Sequence, residues 1–215
     1  MSLRVQVVNG LAAPLTRYIG RLKGWASVED VRKVNDQLCS LVRTAGSRPV
    51  VLCYLIKDVL PMMVVAAINP SGAFARLRWV CDDTIGGLVS ARVIASLGGG
   101  VFILPWGSAG RRIRAIGALR QLETPWGITV DGHGPYGEVN PALVRLLSTL
   151  DALVLPVAAT AHPETYVLLR AKLAIPLPWS VVRLRVGAIV DVREHGVGTG
   201  RVLSERLSSI SLRGT

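Results

Sequence analysis

The feature that most constrains this chain is a recurring alternation. From about residue 49 onward, runs of apolar and β-branched residues take turns with segments of helical spacing. "PVVLCYLI" (49–56) is apolar at every position, which fits a strand covered on both faces rather than one half in water. "FARLRWVC" (74–81), "GVFILPW" (100–106), "GITV" (127–130) and "ALVLPVAAT" (152–160) read as further strands, and "WSVVRLRVGAIVDV" (179–192) as one or two more. The helical segments lie before and between them. Ser27 opens a Ser-x-x-Asp capping pattern, Val28, Val31, Val34, Leu38 and Leu41 share one face, and Gly46 ends the helix. "KDVLPMMVVAAI" admits Pro61 in its first turn, and "IGGLVSARVIASLG" stops at Gly98. Residues 111–122, 141–150 and 199–212 complete the set. This order predicts an α/β fold with a mostly parallel central sheet flanked by helices, its strands near 50–56, 76–81, 101–104, 128–131 and 153–158. No repeat or low-complexity tract divides residues 27–215, which read as one domain. Residues 1–26 read as a basic and apolar interfacial segment.

Charge narrows the partners. Twenty-five Lys and Arg against fourteen Asp and Glu leave a net charge of +11, which suits an anionic partner. The chain is 50% hydrophobic, and its mean hydropathy is +0.43, so membrane contact is a natural candidate. The longest apolar run, 49–68, is broken by Lys57, Asp58 and Pro61 and is no membrane span. The N-terminal stretch lacks the apolar core and cleavage site of a signal peptide, but interleaves apolar residues with Arg4, Arg17, Arg21 and Lys23. With only two Phe and four Tyr for base stacking, nucleic acid is a disfavoured partner. The odd cysteines, Cys39, Cys53 and Cys81, sit in apolar contexts and read as free thiols of a reducing compartment. No residue spacing indicates a metal site.

The end of one strand carries a denser pattern. In "GITVDGHGPYGEVNP" (127–141) an apolar run leads into Asp131, Gly132, His133, Gly134, Pro135, Tyr136 and Gly137. In a parallel sheet, functional groups collect at carboxyl ends of strands. Glycines there allow backbone amides to approach an anion, and an aspartate fixes such a loop by accepting amide hydrogen bonds. An ordinary Asp-Gly turn with an exposed histidine reads equally well from these residues alone.

The order of features from Pro49 to Val192 resembles the bacterial lysophospholipid acyltransferases, and more closely their short branch. "VDGHGPYG" stands where that branch has Asp-Gly-Pro-Arg-Gly-Pro. "VNPALVRLLSTLDALVLPVAATA" follows like its Pro-Gly helix and "PIIPV" strand, and "IPLPWSVVRLRVGAIVDV" like its "PLPF" segment. Upstream, "ARVIASLGGGVFILPWGSAGRRIRAIGALRQL" is similar to its "ARVLERLGFRVVRGSS" segment. The resemblance implies a glycerolipid acyltransferase-like fold. It also implies transfer of a fatty acyl group from a CoA or acyl-carrier-protein thioester to a lipid-like hydroxyl, with no bound cofactor. The family's base is a histidine placed His-x₄-Asp. Asp58 has that aspartate's place, while Cys53 (Tyr54 in a shifted alignment) holds the histidine's, with Lys57 beside them. His133, in the second motif, and His162, after the "LPVAATA" strand, are the histidines that could reach the cleft instead; His195 reads as a solvated loop residue. Phosphate binding falls to Asp131, Gly132, Gly134, Tyr136 and Gly137, with Arg111 and Arg112 replacing the family arginines absent from "DGHGPYG" and from 105–108.

Two readings follow from the resemblance. One is an acyltransferase-like enzyme, cytoplasmic and peripheral on the inner face of the cell membrane, with an anionic surface and a lipid-like substrate as partners. The other is a catalytically degenerate relative that serves as a binding or scaffold subunit beside a protein partner.

Overall fold

The computed structural model describes residues 2–69, 73–105, 109–122, 125–132, 137–168 and 172–212. In chain order these form α1 (Leu3–Leu22), β1 (Ser27–Glu29), α2 (Val31–Thr44), β2 (Val50–Tyr54), a 3-10 turn (Ile56–Asp58), α3 (Val59–Ile68) and α4 (Ala73–Arg76). Next come β3 (Arg78–Asp82), α5 (Ile85–Ser96), β4 (Gly100–Leu104), α6 (Ala109–Arg120), β5 (Trp126–Thr129) and α7 (Pro141–Leu150). The chain closes with β6 (Leu153–Leu168), β7 (Lys172–Val186), β8 (Val190–Asp191), α8 (Val192–His195) and α9 (Thr199–Leu212). Among the described residues the strands make one eight-stranded sheet in the order β1-β7-β6-β2-β5-β3-β4, with β8 beside β6. Pairing is parallel from β6 through β2, β5 and β3 to β4, and between β1 and β7. Only β6 with β7 and β6 with β8 run antiparallel. The protein is therefore α/β, with a mostly parallel sheet flanked by helices.

The pleat of β2 shows why its sequence is apolar throughout. Leu52 and Tyr54 point into a layer built from α1, α2, α3 and α5, around Ile19, Leu38, Met62 and Val93. Val51 and Cys53 point the other way, into a layer holding Leu119 of α6, Leu147 of α7 and Leu203 of α9. Side chains alternate along a strand, so two apolar layers require apolar residues at every position.

Two sequence expectations shift. Ser27 does not cap a helix: Ser27–Glu29 instead pairs with Val181–Arg183 of β7, an ion pair joins Glu29 to Arg183 at 2.6 Å, and the helix begins at Val31. Long-range strand pairing overrides a local capping signal there. "FARLRWVC" likewise divides into the short α4 and β3, with Phe74 and Leu77 buried between them. The segment 1–26 forms α1, and α1 shares the domain's core through Ala12, Ile19 and Leu22. Among the described residues no helix is long and apolar enough to cross a membrane.

Candidate functional site

The sequence motifs meet where β2 and β5 end side by side. Their parallel ladder runs to Tyr54 opposite Thr129, and Val130 adds one more bond by donating to the Tyr54 carbonyl at 2.9 Å. Beyond it, β2 turns into Ile56–Asp58 and β5 into Val130–Gly132. Asp131 joins these two turns. Its Oδ1 accepts from the Ile56 amide at 2.7 Å, and its Oδ2 accepts from the Gly137 amide at 2.8 Å. The loop then closes on itself, because Asn140 donates its amide to the Val130 carbonyl at 2.8 Å and its side chain caps α7 through Ala142. Gly137 has a φ of +91°, a conformation that glycine adopts without strain. A Cβ on Gly132 would stand 2.9 Å from Thr129 Oγ1, so that position too excludes a side chain unless its neighbour moves.

Electrostatics follow from burial. Asp131 is 1% exposed, and burial holds its carboxyl above the usual range, although the amides of Gly137 and Ile56 and the nearby Lys57 pull it down. With each oxygen accepting from a backbone amide, this aspartate latches the loop. Asp58 lies at the end of the 3-10 turn and is 2% exposed.

Cys53 stands elsewhere than expected. The resemblance puts it in the cleft as the counterpart of the family base, but its side chain is fully buried in the second apolar layer. Desolvation there drives the thiol well above its ordinary pKa, so it stays neutral and can take no proton from a hydroxyl. Tyr54, the shifted alternative, faces the opposite layer edge-on to Trp79 at 5.9 Å, and burial raises its phenol too. The pleat of β2 carries both candidate side chains away from the turn at Ile56–Asp58.

The histidines divide. His162 lies exposed on β6 opposite Val181, past the end of β2. His195 ends α8, next to the amino-terminal part of β6 where β8 pairs. His133, Gly134 and Tyr136 fall outside the described residues. Arg111 and Arg112 occupy the first turn of α6, with Arg111 exposed and Arg112 half-buried.

The crevice beside the latch is floored by Val80, Leu104, Ile128, Leu143 and Leu146, with Asp82, Thr129, Gly132 and Asn140 adding its polar atoms. Val130 and Gly132 therefore bring the loop to the crevice, whereas Cys53 and Asp58 do not line it. Its cavity measures about 50 Å³, space for a few waters. Typical small-molecule pockets occupy roughly 300–1,000 Å³. Asp82, Thr129 and Asn140 were not singled out by sequence: Asp82 lies on a distant strand, and Thr129 and Asn140 only flank the Asp131 loop. The Asn140-Pro141 pair, a cap followed by proline at the first helical position, was the available signal for one of them. Among the described residues no cluster of His, Cys, Asp or Glu is arranged to hold a metal ion. Comparison with known protein families and with curated proteins finds no match to this chain.

Proposed function

We propose that this chain is a lysophospholipid acyltransferase-like protein that binds a lipid-like ligand at an anionic membrane surface, on the inner face of the cell membrane, with its own acyl transfer weak or lost. The observation that carries the reading is the joint made by Asp131. It brings the degenerate His-x₄-Asp segment and the "VDGHGPYG" loop together at the carboxyl end of the sheet, as the resemblance requires. The same geometry argues for weak transfer. A general base contributes about 10²–10⁴-fold to such a reaction, and the base position holds a buried neutral thiol. Donor thioester, from CoA or an acyl carrier protein, belongs to this proposal through the resemblance alone. Loss of transfer would leave a binding or scaffold subunit, with a protein partner as its client.

The test measures thioester turnover with a lysophospholipid acceptor for the native chain, Asp58→Ala, His133→Ala and Cys53→His, alongside retention of the lysophospholipid by the native chain. Retention with turnover near background in the native chain is the expected result. Brisk native turnover lost in His133→Ala would replace it with an active enzyme using a relocated base. Absence of any lysophospholipid binding would remove the lipid reading.

A further inference from the structure

We infer that the outward face of α1, continued by the stacked pair Trp25 and Trp179, is the surface by which this protein lies on an anionic membrane. This rests on the membrane reading above and names the residues that make the contact. The helix has two lines of apolar residues. Val8, Ala12, Ile19 and Leu22 are buried against the domain. Leu3, Val7, Leu11 and Pro14 recur at three- and four-residue spacing on a second line, and all are exposed, Leu3 by 74% and Leu11 by 53%. Arg17 and Arg21, also exposed, continue that line toward the end of the helix.

The helix is held as a platform. Arg4 donates to the Asp83 carbonyl beside α5, and the Tyr18 hydroxyl donates to the Pro176 carbonyl of β7 at 2.5 Å. At the β7 end Trp25 and Trp179 stack with ring centroids 6.0 Å apart and planes 17° apart. Trp179 is 75% exposed and has a φ of +63°, a left-handed conformation rare for a bulky residue. The strand reaches it through a bulge. Residues 177–180 stand opposite Pro163, the buried Ser180 anchors the bulge by donating its hydroxyl to the Pro163 carbonyl, and Trp179 is turned outward. A bulge that re-aims an aromatic ring into solvent, against backbone preference, marks a surface built for contact.

Charge selects the occupant. Residues 2–28 include Arg4, Arg17, Arg21 and Lys23 and contain no Asp or Glu. An apolar line with tryptophans and basic residues at its end matches an interfacial helix, with rings at headgroup level and cations on lipid phosphates. A second copy would bring another net +11 against this face.

Co-sedimentation with vesicles of phosphatidylglycerol and phosphatidylcholine, and with phosphatidylcholine alone, tests the inference on the full chain. The native chain is expected to bind the anionic vesicles, with a blue shift of tryptophan emission. Arg17→Gln/Arg21→Gln/Lys23→Gln should weaken partitioning by about 100-fold, at about 1 kcal/mol for each charge. Val7→Glu/Leu11→Glu should abolish binding with an unchanged urea midpoint, because these side chains are exposed, and Trp179→Ala should remove most of the blue shift with a small fall in midpoint from the lost stacking on Trp25. Native binding that survives all three variants would overturn this face and leave the membrane reading standing. No native binding to anionic vesicles would overturn both. A concentration-dependent dimer that Val7→Glu/Leu11→Glu dissolves, without vesicle binding, would assign the face to a second copy.

Discussion

Replacing Asp131 tests the joint that frames the site. Asp131→Ala removes two hydrogen bonds, at 2.7 and 2.8 Å, in which backbone amides donate to a carboxylate. Such bonds contribute about 1.5–3 kcal/mol each. Gly137 is exposed and Ile56 half-buried, so water reaches both amides once the side chain is gone, and the lower end of the range applies. Release of a buried carboxylate offsets part of the loss, leaving a destabilisation of about 2–4 kcal/mol. Asp131→Asn keeps one acceptor and presents an N–H to the other donor, for about 1–2 kcal/mol. The pH dependence carries a sign of its own. Burial raises the Asp131 pKa, so the folded chain takes up this proton more readily than the unfolded chain. The group's contribution to stability is then fullest below the ordinary carboxylate range and is lost as pH rises through the folded-state value. The asparagine variant does not titrate there. Its deficit relative to the native chain should therefore shrink as pH rises out of the ordinary carboxylate range. Urea denaturation followed by emission of the buried Trp79 and Trp126 measures both quantities. An asparagine deficit that grows with pH would refute the reasoning, because it would mean that the amide donors outweigh burial.

Other consequences can be measured separately. With a thiol-alkylating reagent and mass spectrometry, the half-buried Cys39 should react first. Cys81, its thiol pushed up to about 12, should lag, and the fully buried Cys53 should react only after unfolding. Arg48→Ala should cost about 1–2 kcal/mol, because Arg48 grips Asp191 with bonds of 2.7 and 2.5 Å. Arg48 also lowers the Asp191 pKa, so this stability is present above the ordinary carboxylate range and lost as pH falls through the folded value; a native and variant pair of acid titrations should converge at low pH. Gly87→Ala should lower the melting temperature, since a Cβ there would meet the Asp82 carbonyl at 2.4 Å beside the crevice. Leu147→Ala, which empties a fully buried position under the sheet, should cost about 2–5 kcal/mol in urea.

Particular residues explain how much of this was legible in advance. β2 was visible because both its faces are covered, which leaves no polar residue in "PVVLCYLI". α7 and α9 were visible because local signals bound them, Asn140-Pro141 at one start and the periodic run from Thr199 at the other. Ser27 misled because its capping pattern is local, while the partners that win it for the sheet are Val181 to Arg183. The same divide runs through the site. The Asp131 turn was legible from an apolar run ending in Asp-Gly. Its hold on Ile56 was not, since 75 positions separate the two. The inertness of Cys53 follows from the apolar run of β2, because a strand covered on both faces buries that thiol in either layer.

The three residues of β1 set an order in time. Glu29 pairs with Arg183, 154 positions later in the chain. At about 5–20 residues per second, a ribosome needs on the order of ten to thirty seconds to make that stretch. Throughout that interval α1 has been made, while the strand that receives β1 and carries Trp179 has not. A nascent chain can therefore cover the core-facing line of α1 once α3 and α5 are made, while β1 and Trp25 still wait for β7. Translation pauses placed before Lys172 would lengthen the time for which Trp25 lacks its stacking partner Trp179.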